Sequence, residues 1–281
     1  MNHSKEKIMQ AVFFLTACIS IISVILICVF LFSSGIPAIQ KIGLKNFLLG
    51  TVWQPANNVY GIFPMIVGSV YVTLGALVIG VPIGVLTAVF MARFCPEKIY
   101  RPLRSAINLM AGIPSVVYGF FGLVVLVPFV REHIGGFGMG VLTASVLLGL
   151  MILPTIISVS ESAIRAVPNS YYEGGLALGA SHERSVFFAV LPAAKRGILA
   201  AVILGIGRAI GETMAVIMVA GNQAVLPDSL TSGIRTLTTN IVMEMGYSSG
   251  LHREALIGTA VILFIFVLII NISFSLLHKE D

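Results

Sequence analysis

The stretch ILAAVILGIGRAIGETMAVIMVAG, residues 198–221, is apolar almost throughout, yet it carries a positive charge at Arg208 and a negative charge at Glu212. It is long enough to cross a bilayer, whose hydrocarbon layer of about 30 Å takes about 20 residues of helix. The rest of the chain has the same character. Of its 281 residues, 57% are hydrophobic and 10% charged, whereas an ordinary soluble domain has roughly 45–50% apolar and about 25% charged residues. Six segments reach spanning length, near 9–32, 63–91, 105–130, 140–160, 197–220 and 255–277. The expected fold class is an all-α membrane protein with six transmembrane helices.

The first run, MQAVFFLTACISIISVILICVFLF (9–32), is longer than the apolar core of about 7–15 residues in a cleaved signal peptide. With both termini in the cytoplasm, that side holds Lys5, Lys7, Arg93, Lys98, Arg101, Arg104, Arg165, Arg184, Lys195, Arg196 and Lys279. The outer side holds only Lys41, Lys45, Arg131, Arg235 and Arg253. This excess obeys the positive-inside rule. The net charge of +5 therefore implies no nucleic-acid partner. Cys18 and Cys28 lie about 15 Å apart along one helix, too far for a disulfide, and Cys95 stands alone. None has metal-ligand spacing. The chain divides into 1–62, an N-terminal transmembrane helix with an outer interfacial loop, and 63–281, a transmembrane domain with a long cytoplasmic loop at about 161–196. Trp53 and Tyr60 in the outer loop are expected at the membrane surface, where amphipathic aromatic rings are favoured.

The cytoplasmic loop reads YYEGGLALGASHERSVFFAVLPAAKRG over 171–197. Pro168 precedes a helix start that Asn169 or Ser170 can cap. Gly179 is placed to break that helix. An amphipathic second piece runs through Val186, Phe187, Phe188, Val190 and Leu191 and is expected to end at Pro192. Two short helices joined at a glycine make a knob that offers a rigid surface to another protein. Its spacing resembles the coupling motif of ABC-importer permeases: Glu173-Gly174-Gly175, three residues, Gly179, nine residues, Ala189, one residue, Leu191-Pro192. Gly174 and Gly175 stand where the motif has alanines, and Ala189 stands where it has isoleucine. The resemblance implies that this loop docks on a cytoplasmic ATPase subunit.

Arg208 and Glu212 are four positions apart, which on a continuous helix places them on one face and within reach of each other. A charge at mid-bilayer costs at least about 2.5–3.5 kcal/mol and is a functional-site hypothesis by default. A structural ion pair that pins two helices is the plainer alternative. The planar guanidinium suits an oxyanion and stays charged at any biological pH. In AGIPSVVYGFFG (111–122), Pro114 interrupts the hydrogen-bond ladder of the third span, and Gly112, Gly119 and Gly122 allow close helix approach. Ser115 and Tyr118 add hydroxyls that can donate to an oxyanion, although a kink with packing glycines accounts for the same residues.

Together, GRAIGETMAV (207–216) and AGIPSVVYGFFG are similar to the phosphate-specific ABC importer, in particular its C-type permease. Trp53-Gln54-Pro55 and Gly61-Ile62-Phe63-Pro64 agree with that assignment. The resemblance implies the type I importer permease fold in the inner membrane of a prokaryote. It also implies a heterodimer with an A-type permease, two copies of an ATPase that hold ATP and Mg, and an extracytoplasmic phosphate-binding protein. Phosphate would pass Arg208, Glu212, Ser115 and Tyr118. The coupling residues would be Glu173, Gly174, Gly175, Gly179, Leu191 and Pro192. The chain itself is expected to bind no cofactor, metal or nucleic acid and to be no enzyme: GxxxxGK[ST] and HExxH do not occur in it. A permease for sulfate or molybdate, and a stand-alone anion transporter or channel, are the alternatives.

Overall fold

The computed structural model describes residues 3–277; Met1, Asn2 and 278–281, Lys279 among them, lie outside the described residues, as does the side chain of Lys5. Helix α1 (His3–Ile42) is followed by the short α2 (Leu44–Leu49) and a hairpin of β1 (Trp53–Gln54) and β2 (Val59–Tyr60), paired antiparallel with Trp53 opposite Tyr60. Next come α3 (Phe63–Val89), closed by a π turn at Phe90–Phe94, and α4 (Glu97–Gly112). The third crossing is assembled from α5 (Ser115–Phe121), a π turn at Gly122–Leu126 and α6 (Val127–His133), and the fourth is α7 (Val141–Arg165). The knob consists of α8 (Asn169–Ala177), α9 (His182–Ser185) and a π turn at Val186–Val190. Beyond it lie α10 (Leu191–Gly211), α11 (Met214–Val219), α12 (Leu237–Met245) and α13 (Gly250–Leu277).

Among the described residues, six helices are long and apolar enough to cross a membrane: Glu6–Ile42, Phe63–Phe94, Ser115–His133, Val141–Arg165, His182–Gly211 and Gly250–Ser273. Their burial sets their places. In α7, 72% of the most apolar window is buried, against none in α1, so α7 is the axis of the bundle and α1 is peripheral. Small residues bring α3 against α7: a Cβ at Gly80 would lie 2.8 Å from Ile152, and one at Gly84 would lie 2.7 Å from Ile156. Lipid gives helices no hydrophobic reason to associate, so such close backbone approach must supply the contact. The central core adds Tyr118, Val127, Ala209, Val216 and Ile234 to Val72, Leu148 and Ile152. A second core, with Met91, Ile164, Val186 and Val190, lies under the knob.

Three expectations are corrected. The third crossing begins at Ser115 rather than near 105, because Pro114 stands at the N-cap of α5 instead of within a span. The preceding α4 is a separate amphipathic helix with a single buried residue, Ile107. The fifth crossing is broken: α10 ends at Gly211, and Glu212 has extended backbone, with ψ 131°. Finally, Trp53 and Tyr60 are 7% and 3% exposed, so the hairpin packs inward on the protein. The Trp53 indole N–H has found a carboxylate at Glu244, 2.9 Å away, which satisfies its polar edge without the membrane surface.

Candidate functional site: a membrane-embedded arginine and a projecting knob

The break after Gly211 decides how the two charges are held. Arg208 falls in the last turn of α10, where unpaired carbonyls favour a cation. Glu212 lies just ahead of α11 and caps it, its Oε1 accepting from the Ala215 N–H at 3.1 Å. The backbone carbonyl of Glu212 accepts from Thr238 Oγ1 at 3.1 Å. Each charge is thus matched to a helix end, and no ion pair joins them. The expected stacking on one helix face fails because the helix does not continue through residue 212. Instead, Arg208 Nη1 donates to Thr155 Oγ1 of α7 at 3.1 Å. Glu212 lines a closed crevice with Ser69, Thr73 and Thr236 that has no room even for a water molecule.

Tyr118 is buried, donates to the Met110 carbonyl at 2.9 Å, and lies within electrostatic reach of Arg208. Ser115 is the first, half-buried residue of α5. Gly119 and Gly122 are packing residues as expected: Cβ atoms there would meet Ala215 at 2.9 Å and Val219 at 2.8 Å, whereas Gly112 faces open space. The flank of α10 beside Arg208 is uncovered. Gly207 and Gly211 have nothing within 4 Å of a built Cβ, and Leu204 and Met214 are exposed.

In the knob, the N-cap of α8 is Pro168, and neither Asn169 nor Ser170 supplies a side-chain cap. Gly179 has φ +82°, the left-handed region where a Cβ is strained. Ser181 caps α9. The Tyr172 hydroxyl meets His182 Nδ1 at 2.7 Å and ties the two helices together. Gly175 abuts Ser185, 2.6 Å from Oγ to a built Cβ, while Gly174 is open. The second piece does not stop at Pro192. The π turn carries it into α10, where proline is tolerated because a first-turn N–H has no intrahelical partner. Leu178 and Phe188 project, 90% and 78% exposed. Glu173, Gly174, Gly175 and Gly179 therefore share the knob, while Leu191 and Pro192 form its root.

The family described as binding-protein-dependent transport system inner membrane component matches residues 80–279. This chain belongs to it. Similar proteins include a probable ABC transporter permease, YqgH, of Bacillus subtilis, 38% identical over 91% of this chain and 87% of the relative. Another is the phosphate transport system permease protein PstC of Pasteurella multocida, 35% identical over 80% of this chain and 77% of that one. A solved bacterial ABC transporter involved in alginate import superposes with a TM-score of 0.64 over 99% of both chains, at 12% identity, a likeness of fold. The chain is a multi-pass inner membrane protein of a prokaryote, with the importer permease architecture.

In this inner membrane component, two further charged centres had escaped sequence reading. Glu161, 2% exposed, accepts from Tyr100 Oη at 2.8 Å, Arg104 Nη1 at 2.7 Å and Arg165 Nε at 2.8 Å. Arg165 also donates to the Met91 carbonyl and lies over the Tyr100 ring. The hydrogen bond to Glu161 raises the Tyr100 pKa from its ordinary value. At the hairpin end, Glu244 accepts from Trp53 Nε1 at 2.9 Å, Arg235 Nη1 at 2.6 Å and His252 Nε2 at 2.8 Å. The signal for Glu161 was an acidic residue at the end of an apolar run; Glu244 follows a mixed polar segment and gave none. Their partners stand as far as 61 and 191 positions away along the chain.

Proposed function

We propose that this chain is one of two permease subunits of an ATP-driven importer of inorganic phosphate, and that Arg208 is the ligand of the anion in transit. The observation that carries the reading is the state of Arg208. It is a half-buried guanidinium on the fifth crossing with a hydroxyl for a partner and no carboxylate, beside an uncovered flank of α10. A charge within a crossing is a functional-site hypothesis by default. A guanidinium fork suits a tetrahedral oxyanion. The relatives named as phosphate transport permeases make that anion phosphate. Tyr118 and Ser115 border the same path. Glu212 lines the closed crevice beside Ala209 and Ile210, and it would enter the path on a movement of α11.

A second permease, of the A type, would cover the open flank of α10. The knob, with Leu178 and Phe188 exposed around the Gly179 turn, would seat on one of two cytoplasmic ATPase subunits. ATP and Mg belong to those subunits, and the knob end of the bundle, with both termini, faces the cytoplasm. A phosphate-binding protein would deliver the anion at the hairpin end. ATP-driven closure of the ATPases moves the knob, and the crossings rearrange around Arg208 in alternating access. The test is uptake of labelled phosphate by the reconstituted complex, with sulfate as competitor. Phosphate uptake that needs ATP and resists excess sulfate supports the reading; sulfate uptake at the same rate would transfer it to another oxyanion.

A further inference from the structure

Helix α1 is held to the bundle by α13, and where the two cross, a groove of about 480 Å³ opens at the hairpin end. Its apolar wall is Phe30 and Ile257, and its polar wall is Lys41, Arg253 and Glu254. Lys41 Nζ reaches Glu254 Oε2 at 3.0 Å across it, but both side chains are open to solvent, 61% and 41% exposed. Such a bridge is worth little and opens readily. Arg253 is exposed and makes no ion pair among the described residues. Pro37 lacks the N–H that would bond the Ser33 carbonyl one turn earlier. The half-buried Ser34 hydroxyl lines the same wall without a hydrogen-bond partner among the described residues.

The groove has a position as well as a composition. The longest apolar run of α1 ends at Phe32, so the groove, lined from Phe30 to Lys41, starts at the edge of the hydrocarbon layer and runs outward to the two cations. Phe30 in the groove and Leu26 one turn below it are each 62% exposed and give acyl chains a continuous wall. Two cations against one carboxylate leave a single positive charge, which a phosphodiester neutralises.

We propose that this groove holds one phospholipid, its phosphate on Arg253 and Lys41 and its chains along α1. The lipid then fastens a helix that the protein alone holds on one side only. A free anion would gain nothing from the apolar wall, so the occupant is lipid rather than phosphate in solution.

The test is native mass spectrometry of the chain, purified with the subunits that accompany it, and titrated with dioleoylphosphatidylglycerol. The parent retains one lipid more per copy than Lys41→Ser/Arg253→Ser, whose affinity falls about thirtyfold. Glu254→Gln frees Lys41 and binds more tightly than the parent, a gain that misfolding cannot produce. Dioleoylglycerol, which lacks the phosphate, is not retained. Three outcomes overturn the proposal: equal retention by the double variant, no gain in Glu254→Gln, or displacement of the lipid by millimolar inorganic phosphate.

Discussion

Arg208 and Glu212 sit at two helix ends that face each other across the break after Gly211, and this arrangement separates their roles. The Glu212 side chain works through one hydrogen bond, which its Oε1 accepts from the Ala215 N–H. Glutamine retains that oxygen, so Glu212→Gln should keep the cap and leave the thermal midpoint of the purified complex within about a degree. Glu212→Ala removes the cap and should cost about 1 kcal/mol, read as a lower midpoint in the same melt. Equal midpoints for the two variants would show that the cap contributes nothing. Thr155 has a different part, since its hydroxyl is the hydrogen-bond partner that aims the Arg208 guanidinium. Thr155→Val should raise the apparent KM for phosphate about fivefold, the effect of roughly one hydrogen bond. Unchanged uptake kinetics would remove Thr155 from the site.

The knob depends on two glycines in different ways and on a third hardly at all. Gly179 needs its left-handed backbone, although the space around it is open. Gly179→Val should therefore strain the turn by about 1–2 kcal/mol and uncouple ATP hydrolysis from uptake while the chain still inserts. Gly174 lies inside α8 with open space beside it, so Gly174→Ala should couple normally. A Gly174→Ala variant as defective as Gly179→Val would place the coupling surface elsewhere. Gly175 is held close by Ser185, a packing reason that the spacing of EGG could not reveal.

Much of this architecture was legible in the sequence. All six crossings show as apolar runs because a bilayer demands about 20 such residues in each. The knob showed because Gly179 and Pro192 punctuate a polar loop. The breaks were hidden for the same physical reason that the runs were visible. Apolar residues flank Glu212-Thr213 on both sides, so one helix was read through a position that is extended. The apolar tail of α4 likewise ran on into Ser115 and moved the third crossing too early.

Across the whole molecule, α7 joins the two proposed working parts. Thr155 touches Arg208, and about 9 Å further along the same helix Glu161 gathers Arg104, Arg165 and Tyr100 beside the knob. Under the proposed function, movement of the knob would reach the arginine through α7. Glu161→Leu should loosen that end. Arg104 and Arg165 are 33% and 46% exposed and can turn to water, so the loss should be about 1–3 kcal/mol rather than the larger cost of stranding a fully buried charge. It would appear as a lower thermal midpoint and weaker ATPase coupling. Glu161→Leu with parental stability would show that the cluster is ornamental.

The proposed function turns on Arg208, and lysine tests it most directly because the charge stays while the planar fork is lost. The measurement is ATP-dependent uptake of labelled phosphate by proteoliposomes that hold the complex with Arg208→Lys, at matched amounts of assembled protein. The account predicts intact assembly and uptake at least about tenfold below the parent, the loss of one charge-assisted fork contact. Uptake at the parental rate would contradict it, because then Arg208 serves the fold and not the anion.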